Sequence, residues 1–326
     1  MSTSRESDAP LRIEKIPLDR ISPNAAPREL ALDATGAVWV SFERAWMSKI
    51  ERDGRESARA IIPRNSAGLV CDSADNVLIA GARWEPWRGA VEGPTYFAFD
   101  ANGEPLWETR AETGFASAIT VDANDRLIGA GNTVFAVTAQ GMTVELPYWS
   151  TSVAVDPITG LLWRSSGVSV ERVDELSAVV RGERKTPAPS VTLWDASARA
   201  TAFAPSGGAV WMISRRTAKK LAMTVLRRVR PTEPKGSVAG GAEELVVPFD
   251  NDARAMVATR DGGFWVALNN GDLVKCDAAG AVTHRARAGA DPGWNNDALR
   301  SLTVTRDGRT AAALSTKDNA LIRVTV

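Results

Sequence analysis

Histidine and cysteine are nearly absent from this 326-residue chain, which holds one of the first and two of the second. That count excludes a multi-histidine metal centre and a Cys/His zinc cluster. It also excludes a disulfide scaffold. An excess of charge of one sign is missing too: 39 Lys and Arg balance 39 Asp and Glu. A polybasic nucleic-acid tail and an acidic disordered chaperone are thereby ruled out, while locally charged faces are not. No stretch approaches the ~20 apolar residues of a spanning helix. The first ten residues, Met1 to Pro10, are polar and lack the apolar centre of a secretory signal. The expectation is a soluble, cytoplasmic protein without a membrane partner. Cys71 and Cys276, each inside an apolar stretch, suit a reducing compartment. No Gly-rich phosphate loop with its Lys and no nucleophile-elbow phrase occurs, and helical periodicity is nearly absent.

What the chain does have is a repeat. A short apolar strand, a turn with Asp, Gly or Asn, and a second strand often carrying Trp recur from Leu30, Leu69, Ile119, Val153, Ala200, Met256 and Leu302. The first copy reads Leu-Ala-Leu-Asp-Ala-Thr-Gly-Ala-Val-Trp-Val from Leu30 to Val40. The turn-opening positions are Asp33, Asp72, Asp122, Asp156, Ala204, Thr259 and Thr305. Their spacing of ~45 residues is that of four-stranded propeller blades. Further strands follow, at 47–51 and 59–62 after Trp39 and at 272–277 and 281–287 after Trp265. Asp53-Gly54, Asn102-Gly103, Gln140-Gly141 and Ala279-Gly280 supply hairpin chemistry between them. The last unit has only three strands, 301–304, 310–314 and 320–326, and the N-terminal segment 11–18 supplies the missing outer one. The expected fold is all-β: a single seven-bladed β-propeller of four-stranded antiparallel blades. Residues 1–10 form a flexible N-terminus, and residues 11–326 form the propeller. Strand 11–18 closes the blade formed by 299–326, which removes the sheet edges. An eighth copy around Thr186 to Asp195 is set aside, because no turn-plus-Trp phrase follows it.

The phrase apolar-x-apolar-Asp-x-x-Gly-x-apolar-Trp-apolar, followed by a strand and Asp-Gly, resembles the repeat of bacterial propellers. It is similar to the virginiamycin B lyase-like and two-component-regulator propellers, and more loosely to NHL and gluconolactonase-type propellers. The resemblance covers nearly the whole chain and implies the fold; this fold hosts many functions. The lyase resemblance implies a catalytic His with acidic residues and Mg²⁺, and the only His, His284, falls in the expected outer strand of the sixth blade. The gluconolactonase type implies a channel metal held by Glu, Asn and Asp, opening on a Glu-Gly-Pro-x-Trp phrase. No such phrase precedes Trp39, and Glu92-Gly93-Pro94 falls in an expected long loop of the second blade. No catalytic residue, metal ligand or cofactor is assigned.

In a propeller, the loops before each first strand share one face, here the top, with the loops between second and third strands. Five places before each turn-opening position stand Arg28, Ala67, Ser117, Thr151, Arg199, Arg254 and Arg300. The four Arg belong to consecutive blades and are expected to form an arc beside the channel mouth. Top loops add Arg44 and Trp46, then Arg83, Trp84, Trp87 and Arg88, then Arg215 and Arg216. The bottom loops are rich in Asp, so the neutral chain is expected to be polarised, basic above and acidic below. Each Arg has two readings, bracing blades through a carboxylate or gripping an anion bidentately. Loop Trp beside Arg is the composition of interface hot spots, whereas Trp39, Trp163, Trp211 and Trp265 read as packing between blades. The turn from Asp122 to Asp125 begins like a calcium loop, but its twelfth position is Thr133, and side-chain turn chemistry explains it better. The functional expectation is a non-enzymatic interaction or regulatory scaffold, monomeric on its own, that binds an acidic partner segment through its top face. The alternatives are a metal-dependent lyase or lactonase, and a binder of a small anion. Nucleic acid is disfavoured by the even charge.

Overall fold

The computed structural model describes residues 11–63, 66–84, 91–110, 116–131, 134–137, 143–146, 150, 152–165, 169–173, 190–192, 199–218, 221–229, 244–249, 253–288, 299–315 and 317–326. The chain is an all-β propeller of four-stranded antiparallel blades. Its described strands form seven four-stranded sheets. The inner strands are Pro27–Leu32, Ser66–Cys71, Ala116–Val121, Ser152–Val155, Arg199–Ser206, Ala253–Ala258 and Leu299–Val304. Each touches the next, and the last touches the first.

Burial follows position in the sheet. Second strands such as Val38–Phe42 and Phe264–Leu268 are buried at every residue and, Ser41 apart, read as apolar runs. Outer strands such as Arg12–Pro17 and Pro105–Arg110 alternate between exposed and half-buried, because one face meets water. The apolar core lies between sheets. Trp39, Leu69 and Ile79 join the first two, and Leu78, Tyr96 and Leu127 the next two. One cluster, with Leu18, Leu30, Val40, Leu314 and Leu321, joins the last sheet to the first.

Trp39, Trp163, Trp211 and Trp265 are all fully buried in this packing. Glycines of the neighbouring sheets leave room for two of them. A Cβ at Gly103 would stand 3.3 Å from the Trp39 ring, and one at Gly280 would stand 2.6 Å from the Trp211 ring. Trp265 donates its indole N–H to the Gly308 carbonyl of the next sheet at 2.9 Å. Each Trp also has a cation as its cross-strand partner: Lys49, Arg172, Arg228 and Lys275. Lys49, Arg228 and Lys275 stand 6.0, 5.6 and 5.9 Å from their Trp ring centres. The Lys49 and Lys275 side chains are themselves largely covered, and Lys49 pairs with Asp33 at 3.0 Å.

The N-terminal strand, Arg12–Pro17, pairs antiparallel with Ala320–Thr325 and completes the last sheet. The buried Arg323 reaches the Glu14 carboxylate at 3.1 Å and donates to the Arg52 carbonyl of the first sheet. Several segments expected as loops are strand. Trp46 opens the strand Trp46–Ile50, Arg83 and Trp84 end Val77–Trp84, and Arg215 and Arg216 lie within Ala209–Ala218. Glu92-Gly93-Pro94 lies within Val91–Phe99. These hairpins extend past the apolar run because backbone pairing continues beyond it. Ser190–Thr192, inside the segment weighed as an eighth copy, is the outer strand of the fourth sheet.

Candidate functional site

The inner strands run to two mouths of a central cavity of about 420 Å³, whose wall is built from all seven of them. Most of the lining residues are apolar in type, with Glu29, Thr120 and Ser152 among the polar ones. At the mouth where the inner strands begin, six of the seven carry a one-residue irregularity in register. Such a bulge bends the strand and re-aims a side chain. Arg28 follows Pro27, where the first register shift opens. Arg254 is the extra residue between Ala253 and Ala255. Arg300 instead keeps a partner, Leu314, and the extra residue there is Ser301, at φ +56°. Arg199 is paired with Arg215, two places before its shift at Thr201. The four positions that match in sequence therefore differ in register.

Of the candidate side chains, the first sheet shows most. Arg28 pairs with Glu43 at 2.7 Å, so one member of the expected arc is braced within its own blade. Arg44 is exposed in the next turn, beside Ala45 at φ +69°. Trp46 is half-buried, stacked on Phe42 at 5.7 Å, with the Arg59 guanidinium 5.9 Å from its ring. Arg59 is held there by Glu56, to which it donates at 2.7 Å. Burial pushes the Glu56 carboxyl up, but hydrogen bonds from Arg59 and Ser48 and the Arg59 charge together bring it below its ordinary range. The backbones of Arg83, Trp84, Arg199, Arg215, Arg216, Arg254 and Arg300 lie in strands, and their side chains lie outside the described residues. Trp87 and Arg88 lie outside the described residues altogether.

The opposite mouth is built from the turns between first and second strands. Asp33, Asp72 and Asp122 each accept the amide four residues on at 2.9 Å, and Asp156 accepts that of Ile158 at 2.9 Å. This is side-chain turn chemistry. The turns also latch together. Ala34 donates its amide to Asp75 at 2.7 Å, Ser73 to Asp125 at 2.8 Å, and Gly208 to Asp156 at 2.8 Å, each across two sheets. The acids expected to make this face negative are thus structural. Two cations that sequence reasoning passed over stand among them, Arg260 and Arg306. Both follow the turn-opening Thr in a Thr-Arg-Asp-Gly phrase, and that duplication was the available signal.

The remaining reactive groups sit in the frame. Cys71 and Cys276 are free thiols. Burial pushes Cys276 up to about 12, and it pushes Cys71 well above the thiol range with help from Asp33, Asp75 and Asp72. His284 lies on the outer strand Val282–Arg287, paired with Lys275, and is not part of the cavity wall. Among the described residues, no three His, Cys, Asp or Glu side chains are grouped to hold a metal ion.

No protein-family model matches the chain, and no curated protein does. Solved structures do. A catalytically inactive variant of virginiamycin B lyase from Staphylococcus aureus, with quinupristin, is 13% identical at a TM-score of 0.66, covering 97% of this chain and 100% of that one. Hydrazine synthase of Kuenenia stuttgartiensis is 10% identical at 0.65, covering 92% and 96%. The WD40 domain of Neurospora crassa Pan2 is 14% identical at 0.64, covering 100% and 97%. At such identities the likeness is one of fold. The propeller occurs here in enzymes and in a WD40 domain, so the fold does not decide the activity.

Proposed function

We propose that residues 11–326 form one closed ring of seven blades that acts as a non-enzymatic interaction or regulatory scaffold. It binds an acidic segment of a partner protein at the mouth where the inner strands begin. The ring is supported by the apolar cluster that joins the last sheet to the first. The binding reading rests chiefly on one observation: the backbone register sets Arg199 directly opposite Arg215. Like charges directly opposite in an antiparallel pair destabilise the sheet. A carboxylate of a partner reverses that cost, because guanidinium grips it bidentately. Arg254 and Arg300, on the next two inner strands, extend the same cationic rim. Exposed Arg44 and the partly covered face of Trp46 continue it on the first sheet.

The test is binding of a fluorescein-labelled acidic peptide, rich in Glu and Asp, measured by anisotropy. The wild type is expected to bind it and not its Gln/Asn counterpart. Arg254→Glu combined with Arg300→Glu is expected to lose the affinity about tenfold or more while keeping the circular dichroism of the wild type. Unchanged affinity in that variant overturns the reading.

A further inference from the structure

The mouth built from the turns holds a second cavity, of about 500 Å³, which shares Thr120, Val155, Ala258 and Val304 with the central one. This volume lies within the range of small-molecule sites. Its acids are already engaged. Both Asp122 oxygens are taken, one by backbone amides and one by the Arg126 guanidinium at 2.6 Å. Asp125 accepts from the Ser73 amide, and Asp156 from the amides of Ile158, Gly207 and Gly208.

Arg260 and Arg306 on the same wall are different. Both are exposed, and neither has a hydrogen bond or ion pair among the described residues. The acids next to them in sequence, though exposed, are engaged within their own turns. Asp261 accepts the Gly263 amide at 3.0 Å, and Asp307 accepts the Arg309 amide at 3.0 Å and the Thr305 hydroxyl at 2.6 Å. The two turns are in contact, since a Cβ on Gly308 would stand 2.9 Å from Thr259 Cβ. Two guanidiniums therefore rise from adjoining turns at one side of one cavity. Beside the first of them, Ile158 stands at the rim with about half its surface exposed, and a Cβ on Gly262, two residues after Arg260, would stand 3.9 Å from its Cδ1.

We propose that this mouth binds a small organic anion, its phosphate or carboxylate head between Arg260 and Arg306 and its short apolar body against Ile158 and the channel wall. Arg recognises both heads through paired N–H donors, and the exposed apolar surface of Ile158 adds affinity for the carbon skeleton. The site lies at the mouth opposite the proposed peptide-binding rim, so it stands or falls independently of that reading.

Titration calorimetry of the full chain with hexyl phosphate, hexanoate and hexanol tests it. Hexyl phosphate, hexanoate or both are expected to bind, the tighter of the two naming the head group, and hexanol is not. Arg260→Gln combined with Arg306→Gln is expected to weaken binding about tenfold or more. Arg309→Gln, a change at an exposed neighbour outside the cavity wall, is expected to leave it unchanged. Because Arg260 and Arg306 are exposed, the double variant keeps its fold, and circular dichroism checks this. Equal binding by the double variant, equal binding of hexanol, or no heat from either anion at millimolar concentration overturns the proposal.

Discussion

Gly280 and Gly208 show how much one missing side chain can matter. Both sit at positive φ, +82° and +79°, so an alanine at either is strained by ~1–2 kcal/mol. Around Gly208 a Cβ meets nothing within 4 Å, whereas at Gly280 it would press to 2.6 Å on the Trp211 ring. That ring cannot retreat, being fully buried and packed on Phe264 at 5.0 Å. Gly280→Ala is therefore expected to cost about 2 kcal/mol more than Gly208→Ala in urea unfolding. Equal costs would show that the Trp211 contact is slack. At this scale the sequence was informative about packing. A Trp at one repeated strand position, with Gly in the following turns, is what the blade contact requires. The cation opposite each Trp was not visible, because strand register cannot be counted across turns of unequal length.

At the scale of the element, the N-terminal strand carries most weight. Its assignment to the last sheet followed from arithmetic, three strands where every other unit has four. The bounds moved only slightly, from 11–18 to Arg12–Pro17. Its anchor could not be read from the sequence, since Glu14 and Arg323 stand at opposite ends of the chain. Arg323 is almost wholly buried, and Glu14 is about a quarter exposed. Removing one partner of a buried pair leaves the other uncompensated, and the partial exposure of Glu14 tempers that cost. Glu14→Gln is expected to destabilise by about 2 kcal/mol. Arg12→Gln, which breaks a pair whose Arg is 78% exposed, is expected to cost under about 1 kcal/mol. If the two variants unfold at the same urea concentration, the Arg323 pair does not hold the strand. The hairpin ends were the least legible elements. Arg83, Trp84, Arg215 and Arg216 lack the apolar alternation that marks a strand, yet backbone pairing carries them in one.

For the whole molecule, the repeat carried the architecture while the charges were harder to place. A neutral chain of this fold was expected to be basic on one face and acidic on the other. The acids of the second face are tied into turns and latches, and two exposed cations, Arg260 and Arg306, stand among them. The tied carboxylates make stability depend on acid. Asp307 is held below its ordinary range by the Thr305 hydroxyl and the Arg309 amide, and Asp100 by the amides of Glu104 and Asn102. A carboxyl depressed in the folded state contributes stability above its unfolded value, about 4, and loses it as pH falls through the folded value. Thermal stability is expected to fall as pH drops below about 4, and less steeply in Asp307→Asn combined with Asp100→Asn. An identical drop in that variant would place the acid sensitivity elsewhere.

The central claim is that the rim where the inner strands begin binds an acidic segment of a partner. Anisotropy of the labelled acidic peptide, read on two double variants side by side, tests it most directly. The account predicts that Arg254→Glu with Arg300→Glu loses the peptide about tenfold or more, and that Arg260→Gln with Arg306→Gln binds it like the wild type. Loss confined to the second variant, or wild-type affinity in the first, would contradict it.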